Sequence, residues 1–298
     1  MKLSPIYAEY ILIFVAFVWG SNPPVMKWSL QYIDPMSFNA MRMMVACILS
    51  SALALLRKSS QPLRREDVPA LFKISAFGFF VFQIFLTLGV TRTTAGNTSL
   101  LLGMLPISVA IINAITGLDR ITRRILVSIA LTLLGVIVIV LGSGQELSLA
   151  GDHLVGAAFL LCAQCGYGYY TVFSRKLTEK YSPYQINACV FAITTALFAL
   201  IALPSMIVAD WSQVALSAWG GIIYSGVFPL WIGNILWVWG VGVVGSAKAS
   251  LFNNLAPVFA ILISYLLLGE AFGLIQALGA AIIYAGLHIG RKQPETAE

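Results

Sequence analysis

The polar side chains in this sequence that could do chemistry sit in apolar surroundings. Asn22, Gln83, Asn97, Ser99, Asn234, Ser250, Asn253 and Asn254 each interrupt a long hydrophobic stretch. An amide left unpaired in hydrocarbon costs about 2–7 kcal/mol, so each must find a partner. Amides and hydroxyls donate and accept hydrogen bonds. They could grip the polar end of a small solute, or bond helix to helix for about 0.6 kcal/mol each in a membrane. Covalent chemistry has no apparatus here: there is no Gly-x-Ser-x-Gly, no His-Glu-x-x-His and no aspartate pair within an apolar run. An enzyme is therefore not expected. Cys162 and Cys165 form a C-x-x-C, but a zinc site needs further Cys or His nearby, and the histidines are only His153 and His288. The pair reads as small packing residues, and neither a metal nor a cofactor is expected.

Two charges stand apart. Arg42 lies about two turns into an apolar run, and an ionisable group inside a membrane is by default a functional candidate. It could instead snorkel to the interface or pair with Asp34. Lys248 could attract a carboxylate or anchor its helix at the cytoplasmic face. Aromatic residues crowd near the amides: Phe79, Phe80 and Phe82; Tyr167, Tyr169 and Tyr170; Tyr224, Trp231, Trp237 and Trp239. Trp211 and Trp219 suit a membrane interface. Phe80, Tyr170 and Trp231 fall deeper, where rings offer a stacking surface to a planar solute or a face to a cation. Pro106 and Pro257 interrupt their helices and release the carbonyls of Leu102 and Asn253, while Pro23 and Pro24 are expected to break the first helix after Trp19-Gly20-Ser21-Asn22 and Pro229 to bend the eighth. Gly226, Gly233 and Gly240, seven residues apart, suggest a smooth helix face.

The elements that must position these residues follow from composition. Of 298 residues, 59% are hydrophobic and 10% charged, against roughly 45–50% and 25% in soluble domains. Apolar runs of spanning length recur along the chain, and a spanning run must satisfy its own backbone as a helix. The pattern predicts an all-α membrane protein with helices over 8–30, 35–56, 69–90, 95–116, 123–142, 154–175, 184–208, 213–239, 246–268 and 272–290. With the N-terminus inside, 15 Lys and Arg fall on the cytoplasmic side and 2 outside, so both termini are expected in the cytoplasm. No cleavable signal is evident. The net charge of +6 belongs to these loops and does not point to nucleic acid.

The halves resemble each other. Asp34-Pro-Met-Ser-Phe-Asn-Ala40 matches Ser182-Pro-Tyr-Gln-Ile-Asn-Ala188. At a spacing of 151 residues, Gln83 pairs with Asn234, Gly89 with Gly240, Ser99-Leu100 with Ser250-Leu251, Pro106 with Pro257, and Asp119 with Glu270. A repeat of five helices inverts its second copy. The expectation is two inverted five-helix repeats, 1–145 and 146–298, an arrangement that recurs in secondary transporters with the substrate site near the midplane.

Trp19-Gly20, Arg42, Ala247-x-x-Ser250-Leu251, Ala256-Pro257-Val258-Phe259 and Leu268-Gly269-Glu270, in this order across nearly the whole chain, resemble the EamA family of the drug/metabolite transporter superfamily. Within it the chain is similar to the bacterial YddG-type exporters of aromatic amino acids. The resemblance implies a multi-pass exporter of the bacterial inner membrane, with a central cavity lined by helices 1, 3, 4, 6, 8 and 9. Many relatives carry Glu where this chain has Ala256, which leaves the coupling ion open. The expected substrate contacts are Trp19, Asn22, Phe80, Gln83, Ser99, Tyr170, Trp231, Asn234, Asn253 and Asn254, with Pro106 and Pro257 as hinges of alternating access. The expected partners are a small-molecule substrate and the lipid bilayer, with the chain acting as a monomer. Other exported solutes (threonine-like amino acids, purines, cationic compounds) and, remotely, a membrane scaffold or sensor remain as alternatives.

Overall fold

A computed structural model of the chain describes residues 5–57, 61–93, 95–142, 151–268 and 273–291. Glu270, the tail beyond Arg291 and the expected 145/146 division lie outside the described residues, as does the side chain of Asn97. Among the described residues the chain is helical without strands. The helices are α1 (Pro5–Ser29), α2 (Pro35–Leu56), α3 (Arg65–Val90), α4 (95–116), α5 (Arg123–Gly142), α6 (Asp152–Leu177), α7 (Pro183–Val208), α8 (Leu216–Val244), α9 (246–268) and α10 (Leu274–Arg291). Seven of them, α1 to α5, α7 and α8, are long and apolar enough to cross a membrane.

Local chemistry sets the boundaries. Asp34 caps α2 by accepting from the Ser37 amide at 2.8 Å, with Pro35 in the first turn. Ser182 and Gln185 form a capping box on α7, again followed by proline. The sequence ends the eighth helix near Trp239, but α8 runs on to Val244. Gly240 is helical and lets α1 approach, since a Cβ there would sit 2.7 Å from Leu12. The stop is Gly245, at φ +88°, a conformation that favours glycine.

Irregularities come in pairs. Residues 74–80 of α3 and 226–233 of α8 are wound as π-helix, a feature frequent at functional sites. The chain turns at Gly103–Met104 within α4 and passes through a 3₁₀ turn at Asn253–Leu255 within α9. Pro106 and Pro257 therefore begin new helical segments rather than kinking continuous ones. The carbonyl of Asn253 is taken up by the Ala256 amide.

α1 packs on α8 and α9, while α6 packs on α3 and α4. α2 lies along α7, and the second segment of α4 meets the first segment of α9. α5 and α10 approach closely at paired glycines, with Ile139 and Ile283 packed beside them: a Cβ at Gly135 would lie 2.7 Å from the Gly279 carbonyl, and one at Gly279 would lie 2.8 Å from that of Gly135. Ser128 donates to the Gly286 carbonyl across this contact. The three α8 glycines do not share one face. Gly233 and Gly240 meet Trp19 and Leu12 of α1, whereas Gly226 meets Val45 and the Arg42 carbonyl of α2. The π turns between them rotate the helix surface.

Candidate functional site

Six aromatic rings converge where α1, α3, α6 and α8 meet. Tyr167 lies at their centre, with ring centroids 4.5 Å from Phe82, 5.5 Å from Tyr170, 5.7 Å from Trp19, 6.0 Å from Trp237 and 6.4 Å from Phe79. Trp19 and Trp237 are 5.0 Å apart. Each polar edge finds a partner on a neighbouring helix. Trp19 Nε1 donates to the Pro229 carbonyl (3.1 Å) and Trp237 Nε1 to Thr171 Oγ1 (3.3 Å). Tyr167 Oη donates to Asn234 Oδ1 (3.4 Å) and Tyr170 Oη to Asn187 Oδ1 (3.2 Å). Asn234 Nδ2 reaches the carbonyls of Pro229 and Leu230, inside the π segment. Trp231 Nε1, one turn away, is buried without a partner among the described residues.

Two amide pairs hold the flanks in matching ways. Asn39 Nδ2 donates to the Gln83 carbonyl at 3.3 Å, and Asn187 Nδ2 donates to the Asn234 carbonyl at 3.3 Å. Both tie the start of a proline-capped helix to a helix carrying a π segment. They differ at the oxygen ends. Asn187 and Asn234 accept from tyrosine hydroxyls, whereas Asn39 Oδ1 and Gln83 Oε1 accept from Arg42 Nε (2.6 Å) and Nη2 (2.8 Å). Arg42 is 2% exposed. It neither snorkels nor pairs with Asp34, whose carboxylate is occupied by Ser37.

The breaks in α4 and α9 face each other. Asn253 Nδ2 donates to the Leu102 carbonyl at 3.1 Å, the group that Pro106 leaves without an amide. Asn254 is wholly buried, and neither end of its amide has a partner among the described residues. Ser99 lies one turn before the α4 break and is half-buried.

Polar bonds also gather at the end where α1, α3 and α9 begin and α4 and α6 finish, here called the basic end. Asp119 pairs with Arg175 at 3.1 Å and accepts from Ser246 Oγ and the Ala247 amide at 3.3 Å each. Asn113 Nδ2 donates to the same Ser246 hydroxyl at 2.9 Å. Lys248 is not a bare anchor: it pairs with Glu9 of α1 at 2.8 Å. Asp67 accepts from Lys180 Nζ and Tyr181 Oη, both at 2.8 Å. The hydrogen bond to Asp67 holds the Lys180 ammonium above its ordinary pKa.

Of the residues singled out from sequence, Trp19, Tyr170 and Asn234 belong to the aromatic centre, with Trp231 packed against the same core. Asn22 bonds Ser225 (2.8 Å), and Gln83 is held by Arg42. Asn253 reaches the Leu102 carbonyl, four residues before Pro106, at the α4–α9 crossing. Phe80 goes elsewhere: it packs edge-on against Phe198 of α7 at 5.1 Å, and Phe79 takes the central position. Sequence reasoning passed over Tyr167, Trp237, Asn39 and Asn187 as site residues. The last two were in view, since they close the matched Asp34–Ala40 and Ser182–Ala188 segments. Tyr167-Gly168 likewise stands 148 residues after Trp19-Gly20.

Comparison with known proteins gives the family and the fold. The EamA-like transporter family matches the chain twice, over residues 6–141 and 154–289. An uncharacterized transporter of Archaeoglobus fulgidus is 28% identical, covering 94% of this chain and 96% of its own. A probable terminal-alkyne amino-acid exporter of Streptantibioticus cattleyicolor is 26% identical over 96% and 93% of the two chains. An S-adenosylmethionine/S-adenosylhomocysteine transporter of Chlamydia muridarum is 24% identical over 95% and 93%. One solved crystal structure has the same fold, with a TM-score of 0.79, 17% identity, and coverage of 95% of this chain and 98% of that one.

Proposed function

The chain belongs to the EamA-like transporter family, and from that membership we propose that it exports small metabolites, aromatic amino acids first among them. The family and the similar proteins are transporters, not enzymes, and the chain is a multi-pass membrane protein. In our reading ten helices cross a bacterial inner membrane with both termini in the cytoplasm, as the distribution of Lys and Arg favours. Residues 1–145 and 146–298 are inverted repeats, and substrate sits between them. The two groups α1-α8-α9 and α3-α4-α6 alternately part at one end and then the other, turning at the breaks before Pro106 and Pro257.

One observation carries the reading: the ring cluster of Trp19, Tyr167, Tyr170 and Trp237 lies at the junction of those two groups, bordered by amides. Parting the groups would expose flat aromatic faces beside hydrogen-bonding edges, which suits an indole or phenyl ring bearing a polar end. The substrate contacts are then Trp19, Asn22, Ser99, Tyr170, Trp231, Asn234, Asn253 and Asn254, and the Streptantibioticus relative, a probable amino-acid exporter, points the same way. In proteoliposomes, Trp231→Ala and Pro257→Ala should each slow tryptophan flux several-fold. Flux equal to wild type in both rejects this placement of the site.

A second reading is a cationic solute held against the same rings, favoured by the relative that carries S-adenosylmethionine. Counterflow of labelled tryptophan against the twenty amino acids and S-adenosylmethionine separates the two.

A further inference from the structure

Arg42 is the unusual charge of the molecule. It is 2% exposed on a helix apolar enough to cross a membrane, and no salt bridge to it exists among the described residues. Its Nε and Nη2 are taken by the neutral oxygens of Asn39 and Gln83, and its charge lies 5.7 Å over the Phe38 ring. Among the described residues Nη1 faces only Met26 Sδ, at 3.7 Å. The same sulfur receives Asn22 Nδ2 at 3.1 Å, while Asn22 Oδ1 is fixed by Ser225 Oγ at 2.8 Å. Two donors, one of them cationic, are thus aimed at a single thioether. Sulfur is a weak acceptor, and a buried guanidinium without an anion is costly. Methionine is also the side chain most easily swung aside, and Met26 is only half-buried.

We propose that Arg42 Nη1 and Asn22 Nδ2 form a carboxylate seat, with Met26 as the placeholder that leaves when the anion arrives. The seat rests on the export reading above and gives it a chemical class: solutes carrying a free carboxylate. The carboxylate takes one charge-assisted bond from Arg42 and one amide bond from Asn22, replacing two poor contacts to sulfur. Asn39 and Gln83 act as positioning residues, because they hold the guanidinium so that its remaining edge points at the seat.

The test uses the full chain purified in detergent, with thermal unfolding as the readout and tryptophan, indole-3-acetate and tryptophanamide as probes. Tryptophan and indole-3-acetate should raise the unfolding temperature of wild type, and tryptophanamide should not. Arg42→Gln should weaken the acid response by about 10- to 100-fold in concentration, the value of one charge-assisted hydrogen bond. Asn22→Asp keeps the bond from Ser225 but sets a carboxylate beside Arg42. It should unfold at a higher temperature without ligand and lose the acid response, which keeps the test decisive if Arg42→Gln does not fold. Equal stabilisation by acid and amide, no stabilisation of wild type by either acid, or an unchanged acid response in Asn22→Asp overturns the proposal. Acid binding without tryptophan counterflow in liposomes sinks the amino-acid reading and leaves the seat standing.

Discussion

Asp119 offers the sharpest test of how the basic end is held. Its carboxylate joins the end of α4 to Arg175 of α6 and to the first residues of α9, through one ion pair and two hydrogen bonds. The Arg175 and Asp119 side chains are 36% and 20% exposed, so water screens the pair. Exposed ion pairs contribute about 0.2–1 kcal/mol, and the two 3.3 Å bonds are long, worth together about 1 kcal/mol at a helix start. Asp119→Asn keeps one acceptor and should cost about 1 kcal/mol, whereas Asp119→Ala should cost about 2 kcal/mol. If these bonds hold α4 and α9 together, their loss raises the population with the basic end open about 5-fold in the first variant and about 30-fold in the second. A single cysteine at position 250, where the buried Ser250 hydroxyl bonds only within its own helix, in a background free of Cys47, Cys162, Cys165 and Cys189, reports this as the rate of labelling by an impermeant maleimide from the basic side. Labelling that is unchanged in Asp119→Ala, with an unchanged unfolding temperature, refutes the bridge.

Other expectations are equally concrete. Gly135→Ala drives a methyl group into the Gly279 carbonyl and should lower stability by about 1–3 kcal/mol; Gly220→Ala, with nothing within 4 Å, should leave detergent unfolding unchanged. Asn253→Ala strips the Leu102 carbonyl of its donor and should cost about 1–3 kcal/mol, while Asn253→Asp, oxygen against oxygen, should unfold at a lower temperature still. Lys180 has its pKa raised above the ordinary 10.5 by Asp67, so its stabilising effect is complete below that pH and fades as pH rises through the higher folded value. The gap in unfolding temperature between wild type and Lys180→Met should therefore persist at neutral and mildly alkaline pH and narrow only as pH rises beyond the ordinary lysine value.

Hydropathy and proline-capped starts were enough to place most helix boundaries, because those signals are local: Pro35 and Pro183 follow Asp34 and Ser182, whose side chains do the capping. The end of α8 was misread because Gly240 carries no local mark separating close packing from termination. Phe80 was misplaced for a subtler reason. Residues 74–80 wind as π-helix, which shifts every face that a 3.6-residue period predicts, so Phe79 turns inward and Phe80 toward α7. That winding accompanies close contact of Gly78 with Tyr170, a residue ninety-two positions on. For Arg42 the sequence leaves snorkelling, a pair with Asp34 and a functional role open; its oxygen partners are Asn39 on the same helix and Gln83 on α3, 41 residues away. Glu9 and Lys248 are likewise far apart in sequence and adjacent only in the fold. The amides themselves were recognisable, since polar groups in apolar runs advertise their need for partners; which partners they take is decided by helix packing.

The exchange of Arg42 in one half for two tyrosine hydroxyls in the other has an electrical consequence. A fixed cation on α2 makes that helix answer to the voltage across the bilayer, while α7, whose Asn187 accepts from a neutral phenol, does not. An elementary charge crossing the whole field gains about 2.3 kcal/mol per 100 mV. A shift of Arg42 through a tenth of the field is then worth about 0.2 kcal/mol at that potential, a faint pull exerted on one side of the molecule only, and cancelled whenever an anion rides beside it.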